Sequence, residues 1–308
     1  MTAKNFANSR VWRIALIAAA VAMSGCDAAN EAIDEINDIG NDAEVFYYVS
    51  LGTSLSVGVQ PNGSGVLLPT DDGYPDQLHR SIRPAFEAIG NRELRHVSLG
   101  CPGEDLDSMV NGGSCIYLAG SQLDAAVDFL QDNGSNVLLV TIDMGANDFR
   151  NEGCVGDTVD LDCVNTVSAQ VATDLAAVLS ALDNAADPAT SIVGMNYYNP
   201  FLATWLDDLA GQTLAVQSSE AVAVFNNVLG TTFGTAGMPV ADVAAAFESD
   251  DFATMVATTL PPPNDMLPVS VNNICEFTYM CDTTRGPDIH ANDAGYSLIA
   301  DTIAAIIP

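Results

Sequence analysis

The sequence predicts an α/β domain built on a mostly parallel sheet. Three observations lead there. Short apolar runs recur along the chain, stretches of helical period separate them, and 48% of the 308 residues are hydrophobic. That is enough apolar material for one well-buried domain, or a domain with a small cap.

In chain order, the first 26 residues read as an export signal. Lys4, Arg10 and Arg13 form a positive start, and residues 14–23 (IALIAAAVAM) form an apolar stretch too short to span a membrane. The segment ends in Met23-Ser24-Gly25-Cys26. That tetrapeptide resembles the lipobox of bacterial lipoproteins, which implies lipidation of Cys26 and an exported, lipid-anchored protein of the cell envelope. Ordinary signal cleavage, giving a secreted protein, is the alternative. Residues 27–43 are acidic and read as a tether. The domain proper is expected from Glu44 to the end of the chain.

Within it, EVFYYVSL (44–51) reads as a buried strand, followed by HVSL (96–99), NVLLVTI (136–142), SIVGMNYY (191–198) and PVADV (239–243). Helical periods cover 75–89, 120–132, 166–185, 213–233 and a last helix at 292–307. Alternation of this kind makes a parallel sheet, and such folds build their sites at the carboxyl ends of the strands. Residues 248–287 break the pattern with a Pro261-Pro262-Pro263 run and Asn/Asp turns, so a long ordered loop or small cap is expected there.

The formal net charge is −31, with 40 acidic against 9 basic residues. A chain that binds nucleic acid needs a basic face, and none can be assembled here. Docking on anionic lipid by charge is disfavoured for the same reason, so membrane contact is expected only through Cys26. The acidity reads as a solvated surface. Beyond the leader there remain six cysteines, at 101, 115, 154, 163, 275 and 281. An even number in an exported chain implies disulfides, and the positions fall into three close pairs, Cys101–Cys115, Cys154–Cys163 and Cys275–Cys281. The rival, a metal site, lacks the ligand spacing of structural zinc.

Four polar loops follow apolar runs or precede the last helix: Gly52-Thr53-Ser54, Gly100-Cys101-Pro102-Gly103, Gly145-Ala146-Asn147-Asp148 and Asp288-Ile289-His290. Gly-x-Ser alone says little, since glycine is ~7% of residues in average proteins, and a second match stands at Gly112–Ser114. The set says more, because all four loops would converge on one sheet edge. A serine hydroxyl needs a base to take its proton. His79 lies in a helical pattern and His96 opens a strand, which leaves His290 as the candidate base for Ser54. The backbone N–H groups of Ser54 and Gly103 and the Asn147 amide are candidate oxyanion donors.

The order of these blocks resembles that of the SGNH hydrolases, the GDSL-type esterases and lipases. The family's Ser, Gly, Asn and His fall on Ser54, Gly103, Asn147 and His290. The resemblance covers roughly residues 45–307 and implies a three-layer α/β/α sandwich with a flavodoxin-like parallel sheet of about five strands. It also implies carboxylic ester hydrolysis without metal or organic cofactor. Two positions depart from the pattern. Thr53 replaces the aspartate of Gly-Asp-Ser, and Pro287 stands where the family places an aspartate three residues before the histidine. Asp288, two before His290, is then the candidate carboxylate, with a main-chain carbonyl as its rival. Phe201, Leu202, Trp205, Leu206, Phe252, Met255 and Phe277 are candidates for an apolar groove or for ordinary core. The expected substrate is a small-molecule or lipid ester with a short to medium acyl chain. The alternatives are a polysaccharide deacetylase and a catalytically silent surface-binding lipoprotein.

Overall fold

The computed structural model describes residues 43–156 and 158–307. The leader, the lipobox with Cys26 and nearly all of the tether lie outside the described residues.

The strands are β1 (Glu44–Gly52), β2 (Gln60–Pro61), β3 (Leu67–Leu68), β4 (Arg92–Ser98), β5 (Val137–Asp143), β6 (Ser191–Met195), β7 (Val240–Ala241), β8 (Met255–Ala257), β9 (Met266–Pro268), β10 (Thr278–Tyr279) and β11 (Asp288–Ala291). The helices are α1 (Tyr74–Glu87), α2 (Leu106–Asn111), α3 (Gln122–Asn133), α4 (Ala146–Glu152), α5 (Leu161–Ala185), α6 (Leu209–Thr235), α7 (Val243–Ala246), α8 (Val269–Phe277) and α9 (Asp293–Ala304). By compactness, the stretches 43–45 and 85–93 form one unit, and 46–84 with 94–307 form another. The site described below lies wholly within the second.

The main sheet has five strands in the order β4-β1-β5-β6-β7. The pairs β1–β5, β5–β6 and β6–β7 are parallel. Numbered by their order in the chain, the five strands run 2-1-3-4-5, the flavodoxin-like arrangement, whose ligand sites form beyond the carboxyl ends of the strands. Residues 48–52 and nearly all of β5 are buried, as strands covered on both faces are. The long helices cover the sheet through apolar stripes, such as Val171, Leu175, Val178, Leu179 and Leu182 of α5.

Part of the acidic surplus is spent on helix starts. Asp105, Asp160, Asp208 and Asp242 each accept backbone N–H groups at the N-caps of α2, α5, α6 and α7. Side-chain acceptors with negative charge are favoured there by the unpaired amides and the helix dipole.

Two expectations need correction. The stretch 248–287 is less irregular than its composition suggests, since it holds the β8–β9 hairpin, α8 and β10. His290 lies in a short strand, not a loop: β11 pairs antiparallel with β10. The three disulfides join Cys101–Cys115, Cys154–Cys163 and Cys275–Cys281 as the spacing predicts. Among the described residues no helix is long and apolar enough to cross a membrane.

Candidate active site

Ser54 stands in the turn that leaves β1. The turn is held from below by Asp143, the last residue of β5, paired in register with Gly52. Gly52 has φ +133°, and a Cβ there would lie 2.1 Å from Asp143 Oδ1, so the position excludes every other residue. Thr53 Oγ1 donates to Asp143 Oδ2 at 2.7 Å, and its backbone N–H donates to the same oxygen at 3.3 Å. The Tyr74 hydroxyl donates to Asp143 Oδ1 at 3.1 Å. Thr53 thus keeps a turn-holding role, with its carboxylate partner supplied by the neighbouring strand. Val59 N–H closes the turn on the Ser54 carbonyl at 2.9 Å.

Asp143 is fully buried, and burial pushes its carboxyl up to about 7, against hydrogen bonds from Thr53 and Tyr74 that favour the ionised form. The folded state therefore holds a proton that the unfolded chain releases near the ordinary value of 3.8. The stabilising contribution is whole below that lower value and is lost as the pH rises to about 7. Asp143→Asn, neutral throughout, is expected to flatten the stability curve across this window by about one proton's worth of slope. Urea unfolding at stepped pH measures it. Equal slopes in variant and wild type would contradict the assignment.

At the other end of the site, β11 presents His290, buried at 6% exposure. Asp288 Oδ1 lies 2.7 Å from His290 Nδ1 and also accepts the His290 backbone N–H at 3.0 Å. Residues two apart in a strand point to the same side, which is how an acid in this position reaches the ring. Burial works to raise the Asp288 carboxyl, but the bonds and charge of His290 outweigh it and hold the group below the usual carboxylate range. Tyr198 fixes the strand by donating its hydroxyl to the Ile289 carbonyl at 2.7 Å. Asn292 then caps α9 through Gly295 N–H.

Asn147 is not in a loop, as its Gly-x-Asn-Asp setting suggests, but in the first turn of α4. Its Nδ2 donates to the Glu104 carbonyl at 2.8 Å, next to Gly103. Asp148 accepts Leu106 N–H at 3.3 Å and ties α4 to the start of α2. Burial raises its carboxyl to about 6. Gln122 links both halves of the site: its Oε1 accepts Gly52 N–H at 2.6 Å, and its Nε2 donates to Gly52 O and to Glu104 Oε2, each at 3.0 Å. Gly103 has φ +80° with open space around a would-be Cβ, so it is backbone conformation that calls for glycine. The N–H groups of Ser54 and Gly103 donate to no other group among the described residues.

Ser54, Asn147 and His290 line one cleft of about 330 Å³, within the size range of ligand pockets. Gly103 is not among the lining residues, and no hydrogen bond joins Ser54 to His290. Catalytic contacts are often looser before substrate binds. The rest of the lining is mostly apolar, including Phe149, Tyr197, Val222 and Phe225. Of the residues expected for a groove, Phe201 lines it. Leu202 is buried in the core, Trp205 packs at a tilt against Phe252, and Phe277 packs edge-on against Phe247. Met255 is half exposed, and neither it nor Leu206 reaches the cleft. His79 and His96 take structural partners, the Leu94 carbonyl for the first and Ser50 and Asp76 for the second.

The sequence reading did not single out Asp143, Gln122, Phe149, Val222 or Phe225. Only Asp143 left a trace, as a charge ending an apolar run.

No family model matches this chain, and no curated protein does. Solved structures do. An extracellular lipase from Streptomyces rimosus superposes with TM-score 0.51 at 18% identity, over 84% of this chain and 99% of that one. A phospholipase A1 from Streptomyces albidoflavus gives TM-score 0.45 at 21% identity, over 74% and 94%. A carbohydrate acetylesterase from Sinorhizobium meliloti gives 0.48 at 12%, over 85% and 99%. With its five-stranded parallel sheet between helices, the chain has the three-layer α/β/α fold of the Streptomyces rimosus lipase.

Proposed function

We propose that this protein is a serine carboxylic ester hydrolase of the SGNH type, working through an acyl-enzyme. The observation that carries the reading is one cleft lined by Ser54, Asn147 and a His290 whose Nδ1 is held by Asp288. Asp288 fixes the tautomer that leaves Nε2 of His290 free to take the Ser54 proton. Ser54 Oγ attacks the ester carbonyl, and the oxyanion forms against the Asn147 amide and the Ser54 and Gly103 N–H groups. The imidazolium then gives its proton to the leaving alcohol. A water activated by the same ring releases the acid and restores Ser54. The apolar lining supports an acyl chain in the cleft over the polar face of an acetylated polysaccharide. Three disulfides support an exported setting.

The test is covalent capture. Incubation with diethyl p-nitrophenyl phosphate is expected to stop hydrolysis of p-nitrophenyl butyrate and to leave a diethylphosphoryl group on the peptide carrying Ser54, read by mass spectrometry. An active protein that stays unlabelled, or is labelled elsewhere, would reject the mechanism.

A further inference from the structure

A disulfide joins the loop after α4 to the first turn of α5, and its placement bears on the cleft. Val155 follows Cys154 and Val164 follows Cys163, and both valines line the cleft. The Cys154–Cys163 bond therefore clips together two lining positions nine residues apart in sequence.

The loop is braced from within. Val155 and Val159 form an antiparallel bridge, Asp160 N–H donates to the Cys154 carbonyl at 2.9 Å, and the Asp160 side chain caps α5 through the N–H groups of Asp162 and Cys163. Cys154 is 1% exposed and packs in one cluster with Val164 and with Ala221 of α6, joined by Phe149 and Val224. Ala221, Val222 and Phe225 of α6 line the same cleft. The bridge is thus part of the apolar packing around the cleft, with Cys154 buried and Cys163 partly so.

Resting on the ester-hydrolase reading above, we infer that the Cys154–Cys163 loop is the wall that sets acyl-chain length, and that the acyl group it selects is of medium length. The lining separates by chemistry. Ser54, Asn147 and His290 supply the polar groups for the carbonyl. The two valines and the aromatic and aliphatic residues of α6 make the apolar part of the lining, which suits a hydrocarbon chain because it offers no polar group to pair. A cleft of about 330 Å³ lies at the small end of ligand pockets. That volume suits a chain of medium length, held by hydrophobic contacts that grow with each buried methylene. Acetate leaves most of the wall unused, and a long chain has to displace it.

Two variants test this on p-nitrophenyl esters, whose common leaving group isolates the acyl side. Val155→Phe fills the wall, and the octanoate-to-acetate ratio of kcat/KM is expected to fall about tenfold or more. Cys154→Ser with Cys163→Ser releases it, and the dodecanoate-to-octanoate ratio is expected to rise about fivefold or more. Circular dichroism and the melting temperature establish that each variant is folded. Should the double variant fail to fold, Val155→Phe still decides. A ratio within about twofold of wild type in either folded variant overturns the inference. Labelling of Ser54 by diethyl p-nitrophenyl phosphate in the same samples keeps the two levels apart. Labelled protein with unchanged ratios rejects the wall alone, and unlabelled active protein rejects the hydrolase reading beneath it.

Discussion

Ser54→Ala is expected to cut kcat/KM for p-nitrophenyl butyrate by about 10⁴-fold or more, leaving only the residual rate that oxyanion donors and binding support. The melting temperature should barely move. Ser54 is only partly buried, and its hydroxyl makes no hydrogen bond that the fold depends on. The turn is held instead by Thr53 on Asp143 and by Val59 N–H on the Ser54 carbonyl, and both survive the substitution. His290→Ala should fall nearly as far, and the double variant no further, because nucleophile and base act as one unit. Steady-state kinetics of the three variants, with thermal melting alongside, checks both claims. A Ser54→Ala protein that keeps wild-type turnover would end the serine mechanism for this cleft.

The sheet was legible because its central strands are covered on both faces. Residues 44–51, 136–142 and 191–198 are near-continuous apolar runs, and strands appear at Glu44–Gly52, Val137–Asp143 and Ser191–Met195. The edge strand was read short. Expected at 96–99, it begins at Arg92, and Arg92, Glu93 and Arg95 hid its first half. An edge strand carries such charges because only part of it is buried. The helix Val269–Phe277 was lost among Asn and Pro residues, since no side chain caps its start.

Site residues were legible where chemistry and local order coincide. Ser54 stands just beyond β1, Asn147 in the first turn of the helix after β5, and His290 in the short strand before the last helix, and each carries polar chemistry beside an apolar run or a helix start. The cleft was not legible. Phe149, Val155, Val164, Val222 and Phe225 come from three separate segments and share no period. Each alone reads as core, and only the tertiary packing of α6 against α4 and the Cys154–Cys163 loop makes them one surface. Asp143 was hidden for a related reason. Its role follows from parallel pairing with Gly52, ninety-one residues earlier in the chain, which no local pattern encodes.

The identity of the group that orients His290 turns on a comparison of two acceptors. Pro287 offers a carbonyl and Asp288 a carboxylate, and the Asp288 Oδ1 stands 2.7 Å from Nδ1. The same oxygen receives the His290 backbone N–H at 3.0 Å, so the carboxylate is clamped to the strand it serves. Its carboxyl is held below the usual range despite partial burial, which keeps it charged wherever the imidazole is called on to act as a base. A fixed negative charge at Nδ1 stabilises the imidazolium that forms as Ser54 attacks, and a neutral carbonyl does so less. Asp288→Asn is therefore expected to lower kcat by ~10⁴-fold, the loss produced by the same swap in a trypsin-type triad. If the Pro287 carbonyl carried the role, the backbone would survive the substitution and the loss would stay within about tenfold, ~1.4 kcal/mol of barrier. The measurement is kcat for Asp288→Asn and Asp288→Ala beside wild type, with Ser54 labelling by diethyl p-nitrophenyl phosphate as a second readout. A slowed labelling rate that tracks kcat places the defect in activation of Ser54, as orientation of His290 requires. A near-wild-type rate in both assays would remove Asp288 from the mechanism and leave a Ser54–His290 pair supported by main chain.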